Sequence, residues 1–172
     1  NMLRLYINKV LTPAQKFVFN KLAALKPIGI LAGGTALAFQ LKHRESFDFD
    51  VFTFKTISSN FSWELRKIFG RKIKVIIDSE RELTFLAPQN IKITFSHYPF
   101  KPLYKTIKTD SLSIFDWKDI AADKAYTLGR RPIYRDYVDL FFIIKTGHSL
   151  KNIVSDAKKK FEGLFSEKLF LA

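Results

Sequence analysis

At 172 residues, 47% of them hydrophobic and 18 of them Phe, the chain can bury a full core in one domain with a small helical annex. It has no cysteine, which excludes disulfides, thiol chemistry and zinc–thiolate sites. No apolar run reaches the roughly 18 residues of a membrane helix, and the opening NMLRLYINKV lacks the apolar stretch of a signal peptide, so a cytoplasmic protein with no membrane partner is expected.

The net charge is +13, from 29 basic and 16 acidic residues. That excess suits a polyanionic partner, RNA or DNA, although basic surfaces also occur without one. Asn1 ahead of Met2 reads as an addition to the natural chain. Thr12 is placed to cap a helix over residues 12–25, with Pro13 at its first position and Phe17, Leu22 and Leu25 as a partial apolar stripe; Pro27 ends it.

The chain is organised around residues 28–54. Ile28 to Ala32 reads as a buried strand that stops at Gly33-Gly34, and Thr35 to Leu41 reads as a helix. A second strand is expected over Phe47 to Phe54. In a strand alternate residues face the same way, so Asp48 and Asp50 share one face while Phe47, Phe49 and Val51 take the other. Two carboxylates so close repel each other, and a divalent cation, Mg²⁺ or Mn²⁺, relieves that repulsion through hard oxygen ligands. Glycine at a helix mouth lets backbone N–H groups approach an anion, and the helix N-terminus adds its positive end. A lone diglycine is ordinarily a turn, and a lone Asp-x-Asp a solvated strand end. In strand–glycine–helix–strand order they describe a site for a nucleoside triphosphate and its metal.

Those residues carry a resemblance. Gly33-Gly34, thirteen residues, then Asp48-Phe49-Asp50 resembles the signature of DNA polymerase β-type nucleotidyltransferases. The fuller GGTALAFQLKHRESFDFDVF is similar to the AbiEii/AbiGii-type nucleotidyltransferase toxins, with Arg44, Ser46, Asp48 and Asp50 matching. A later block, DIAADKAYTLGRRPIYRDYVDLFFI, resembles the same group through Asp119, Lys124, Arg131, Arg135, Asp136 and Asp139. The two blocks span residues 28–144.

The resemblance implies an α+β (α/β) nucleotidyltransferase fold: a small mixed sheet flanked by helices over residues 1–110, with a C-terminal helical part over 111–172. It implies transfer of a nucleoside monophosphate from a Mg²⁺-bound triphosphate to a hydroxyl of RNA, such as a tRNA 3′ end, in a toxin–antitoxin setting with a separate antitoxin. Gly33, Gly34 and Thr35 would cradle phosphates, and Asp48 and Asp50 would bind the metal. Arg44, Lys124 and Arg131 would neutralise phosphate charge, and Ser46 would orient the carboxylates. Arg135, Asp136 and Asp139 would stand behind these groups, Asp136 or Asp139 bracing Arg131 or Lys124. Arg135 and Asp139 can equally pair with each other at i, i+4.

The remaining elements follow from patterning. Residues 62–69 read as a helix with Trp63 and Ile68 inward. Residues 71–77, 82–87 and 90–96 read as strands, the last two joined in a hairpin at Pro88-Gln89. Nucleotidyltransferases of this superfamily commonly place a third carboxylate on a later strand. Here Thr94 or Ser96 stands there, with Asp78 and Glu80 as possible substitutes at the end of the preceding strand. This favours a second reading, a catalytically impaired nucleotidyltransferase-like module that binds nucleic acid or a partner protein. A third, modification of a small molecule or a protein side chain, suits the +13 charge less. His97 could act as a base, and the loop 101–110, with Tyr104 among lysines, could meet RNA. Asp116 caps a helix to Arg130 with Lys124 beside its apolar stripe. Pro132 opens the next, which carries Phe141 to Ile144 as core. A basic helix over 152–164 follows, and the apolar end KLFLA suggests that the chain continues beyond Ala172.

Overall fold

The computed structural model describes residues 5–172. Residues 1–4, with the Asn1–Met2 start, lie outside the described residues. Among the described residues the fold is mixed α/β, with a five-stranded sheet and eight α-helices. The chain forms two compact units. The first holds the described residues up to Pro99 together with Ile107–Ile114, and the second holds Phe100–Thr106 and Phe115–Ala172.

The first unit starts with a short helix, α1 (Ile7–Val10), and then α2 (Pro13–Lys21). Thr12 caps α2 as expected. Its hydroxyl accepts from Gln15 N at 3.2 Å, and Gln15 Oε1 accepts from Thr12 N at 3.0 Å, a reciprocal arrangement worth about 1 kcal/mol. The buried side of α2 is Val18 and Phe19, continued by Leu22 and Leu25 in a tighter turn. Phe17, expected in that stripe, is exposed. Strand β1 (Ile30–Ala32) runs into α3 (Gly33–Leu41), and β2 (Phe49–Thr53) follows. Helix α3 is apolar almost all round, and Gly34 through Gln40 are buried, as a helix without a wet face must be.

Helix α4 (Phe61–Phe69) buries Phe61, Leu65 and Phe69, spaced i, i+4, i+8. That spacing leaves Trp63 on the opposite side, 60% exposed and with Lys67 Nζ 3.4 Å above its ring, not inward as expected. Strands β3 (Lys74–Asp78), β4 (Glu82–Ala87) and β5 (Ile91–His97) complete the sheet in the order β1-β2-β5-β4-β3. All neighbours are antiparallel except β2 and β5, which are parallel. The β4–β5 connection turns through Gln89 and Asn90, both left-handed (φ 63° and 59°). Edge strand β3 carries a bulge between Val75 and Ile77, which leaves both Ile76 and Ile77 exposed. The return segment docks Ile114 beside Leu31, and the Ser111 hydroxyl donates to the Phe19 carbonyl.

The second unit is helical: α5 (Trp117–Leu128), α6 (Tyr134–Lys145), α7 (Leu150–Phe161) and α8 (Glu167–Leu171). Asp116 caps α5 and Ser149 caps α7. Phe141 and Ile144, expected as core, are exposed, because Leu140 and Ile143 take the buried side of α6 together with Asp136 and Asp139. Two lysines are drawn inward by carboxylates. Lys160 Nζ lies 2.9 Å from Asp119 Oδ1 and 2.7 Å from Asp123 Oδ1, with no side-chain exposure. Lys124 contacts Asp136 and, at 2.9 Å, Asp139.

Candidate active site

The site of the first unit is built where β1 passes into α3 beside β2. Ala32 pairs with Asp50 across the β1–β2 ladder, so the first turn of α3 starts against that carboxylate. Gly33 has a φ of +65°, and a Cβ there would lie 2.7 Å from Asp50 Oδ2. A Cβ on Gly34 would collide with Arg44 Nη2 and come within 3.3 Å of Ser46 Oγ. The diglycine is therefore required sterically: Asp50, Arg44 and Ser46 all approach the backbone closely. The α3 N-terminus has no side-chain cap, and the N–H groups of a helix's first turn are suited to an anion.

Thr35 serves this geometry from inside. It is buried, and its hydroxyl donates to the Asp48 carbonyl while lying 2.8 Å from Ser46 Oγ. This ties α3 to the Ser46–Asp48 segment. Gln15 adds a second tie, donating from Nε2 to the Ser46 carbonyl at 2.8 Å. Asp48 lies one residue ahead of β2, where its Oδ2 meets Lys92 Nζ at 3.0 Å. Arg44 also donates to the Glu45 carbonyl at 2.9 Å.

The face of the sheet that carries Asp50 is polar. In the parallel β2–β5 pair, Asp50 stands beside Thr94, and in the antiparallel β4–β5 pair Thr94 stands beside Thr84. Thr84 Oγ1 is 3.2 Å from Thr94 Oγ1 and 2.7 Å from Glu82 Oε1. The alternate residues Phe49, Val51, Leu83, Phe85, Ile93 and Phe95 point into the core and are fully buried. Asp78 and Glu80, considered as substitute acids, are both exposed, Asp78 at the end of edge strand β3. Glu82 was not singled out by sequence. A three-residue turn at 88–90 sets Ala87 opposite Ile91, and counting back from it would have placed Thr84 against Thr94 and Glu82 on the same face.

Asp48 and Asp50 are hard oxygen donors next to a glycine cradle, the ligand chemistry Mg²⁺ or Mn²⁺ takes. Among the described residues no group of three or more His, Asp or Glu side chains is assembled for a metal, so such an ion would share its shell with substrate oxygens and water.

The second unit carries the other block. Lys124 is 13% exposed and paired with Asp136 and Asp139, whereas Arg131 and Arg135 are exposed. Asp139 meets Lys124. Tyr104 is anchored. Its hydroxyl donates to Asp156 at 2.8 Å, and its backbone N–H donates to Asp119 at 2.9 Å. Burial, and then the bond to Asp156, push its phenol up to about 12. His97 ends β5, its backbone N–H bonded to the Arg81 carbonyl at 2.8 Å.

Residues 17–164 match the model of the family described as nucleotidyl transferase AbiEii toxin, type IV toxin–antitoxin system. The chain belongs to the AbiEii nucleotidyltransferase toxin family. An uncharacterised Aquifex aeolicus protein is 36% identical over 140 residues, covering 78% of this chain and 66% of that protein. The chain thus spans just under two thirds of that relative's length. Two solved structures share the fold. JHP933 from Helicobacter pylori has a TM-score of 0.60 at 17% identity, over 94% of this chain and 89% of that one. The antibiotic-resistance factor ANT(2'')-Ia has a TM-score of 0.62 at 12% identity, over 87% and 92%. The fold is that of the nucleotidyltransferases. No helix among the described residues is long and apolar enough to cross a membrane.

Proposed function

We propose that the protein transfers a nucleoside monophosphate from a metal-bound triphosphate to a hydroxyl of RNA, with release of pyrophosphate. The observation that carries this reading is the fit of Gly33 against Asp50, where even a methyl group would sit 2.7 Å from the carboxylate oxygen. A backbone brought that close to a metal-binding acid is suited to a triphosphate, whose phosphates meet the α3 N–H groups while its metal meets the carboxylates.

In this reading the backbone of Gly33 and Gly34 cradles phosphate, and Thr35 and Ser46 hold the cradle to the Asp48 segment. Arg44 neutralises phosphate charge. Asp48 and Asp50 hold Mg²⁺ or Mn²⁺, which when bound offsets the charge on the phosphates and makes the phosphorus easier to attack. In the helical unit, Lys124, steadied by Asp136 and Asp139, and the exposed Arg131 and Arg135 offset phosphate charge of the polyanionic substrate. The net charge of +13 supports RNA as the acceptor, and membership of a toxin–antitoxin family supports a cognate antitoxin. The cytoplasm is the compartment where these partners would meet.

A second reading is a nucleotide- or nucleic-acid-binding module without turnover. It is favoured by Thr94, a neutral hydroxyl, beside Asp50. Titration calorimetry with each triphosphate, with and without Mg²⁺, tests the site itself. Metal-dependent binding that Asp48→Asn abolishes, at an unchanged melting temperature, is expected. Equal binding by the variant would remove the aspartates from the site.

A further inference from the structure

We infer that Glu82 is the terminal proton acceptor of this site, reached through the hydroxyls of Thr84 and Thr94, and that it stands in for the acid expected on β5. The inference rests on the transfer reading above.

The first support is the face. The fully buried residues of β2, β5 and β4 fix which way the alternate ones point. Asp50, Thr94, Thr84 and Glu82 therefore lie on one side of three adjacent strands. On those strands Asp50 and Glu82 are the carboxylates of that side.

The second support is proton counting. A threonine hydroxyl has one proton to give, and a carboxylate only accepts. Thr84 Oγ1 is 2.7 Å from Glu82 Oε1, so its proton points to Glu82. Its oxygen is then free to accept from Thr94, 3.2 Å away. Thr94 has now given its proton away from Asp50, and its remaining lone pairs are left for a donor on the Asp50 side. The chain has one polarity, from the reacting position to Glu82. Thr84 at the middle of the chain is 5% exposed, whereas Thr94 and Glu82 are half-buried, and Glu82 can return a proton to solvent.

The transfer step balances through this chain. The acceptor oxygen forms a bond to the α-phosphorus as the bond from phosphorus to the pyrophosphate oxygen breaks, and pyrophosphate leaves with that electron pair. The acceptor hydroxyl's proton passes to Thr94, Thr94's proton to Thr84, and Thr84's to Glu82. Glu82 touches no reacting atom and acts by holding the two hydroxyls in this direction and taking the last proton. A purely structural Thr–Thr pair would steady the sheet and would be indifferent to Gln at position 82, since a Gln oxygen also accepts from Thr84.

The experiment measures label transfer from α-³²P-labelled triphosphates to total RNA by the full chain, with Glu82→Gln, Thr94→Val, the double variant Glu82→Gln/Thr94→Asp, and Asp48→Asn as the control. Glu82→Gln is expected to lower kcat about 100-fold, with the KM for triphosphate and the melting temperature nearly unchanged. Thr94→Val is expected to do the same, and Thr94→Asp to restore most of the rate in the Glu82→Gln background by placing a carboxylate directly beside Asp50. Wild-type kcat in Glu82→Gln while Asp48→Asn is inactive would overturn the relay and leave the transfer reading standing. A loss of rate that tracks a fall in melting temperature and is not restored by Thr94→Asp would make Glu82 structural and equally overturn it. No labelling by the wild-type chain would overturn both.

Discussion

Asp50 and Thr94 are register partners across the parallel pair of β2 and β5. A carboxylate thus stands beside a hydroxyl at the position where a third carboxylate would complete a row with Asp48 and Asp50. Substituting Thr94→Asp creates that row. Without metal the added charge repels Asp50 and lowers the melting temperature; with Mg²⁺ the repulsion becomes a ligand set. The melting temperature of the variant is expected to rise on adding Mg²⁺ by more than that of the wild type. At 100-fold excess over its Kd the ion stabilises by about 2.7 kcal/mol. Scanning calorimetry with EDTA and then Mg²⁺ checks this; identical shifts in both proteins would mean that the row does not bind metal.

Gly33→Ala meets two penalties. The left-handed backbone, φ +65°, costs a residue with a Cβ about 1–2 kcal/mol, and that Cβ would press on Asp50 Oδ2. We expect a lower melting temperature together with loss of triphosphate binding. A variant that binds normally would show that the cradle has room to spare.

Lys124 sits between Asp136 and Asp139, which are 10% and 0% exposed. Lys124→Met takes away the cation that these two buried carboxylates share, so unfolding is expected to become easier, by up to about 3–5 kcal/mol. Urea denaturation measures it. The triple variant Lys124→Met/Asp136→Asn/Asp139→Asn, which removes the two carboxylate charges as well, is expected to recover much of the loss. This ion pair is a folding element whatever else Lys124 does.

The Tyr104 phenol is raised from 10.0 to about 12. A group whose folded pKa lies above its unfolded one adds stability that is complete below the unfolded value and disappears as pH climbs through the folded value. The contribution of Tyr104 is therefore present up to about pH 10 and lost by about pH 12. The urea midpoint of the wild type is expected to fall more steeply between pH 9.5 and 11.5 (roughly the interval between the two pKa values) than that of Tyr104→Phe. Parallel slopes would contradict the upward shift of the Tyr104 phenol.

Much of this was legible in the sequence for physical reasons. The diglycine, Asp48 and Asp50 lie within 18 residues of one another, so local strand and helix periodicity brings them together without knowledge of long-range pairing. The Thr12 cap and the 88–90 turn are likewise local. Trp63, Phe17, Phe141 and Ile144 have the size and apolarity of core residues, but each sits one or two positions away from the residues that fill the buried side of its helix. A hydrophobic side chain names a helix face only together with its i+4 partners. Glu82 was overlooked for another reason: its relation to Asp50 runs across two strand pairs, one of them parallel, and parallel register is not set by a turn. The inward pull on Lys160 was hidden inside a run of three lysines; Asp119 and Asp123 on α5 single it out.

The central claim, nucleoside monophosphate transfer to RNA by the Gly33–Gly34 and Asp48–Asp50 site, is tested most directly by a labelling assay. The full chain is incubated with total RNA, Mg²⁺ or Mn²⁺ and each α-³²P-labelled triphosphate in turn, beside the Asp48→Asn/Asp50→Asn variant. The account predicts label in an RNA band with at least one triphosphate, and none with the variant. Label that persists in the variant, or its absence with every triphosphate while the protein still binds RNA, would contradict it.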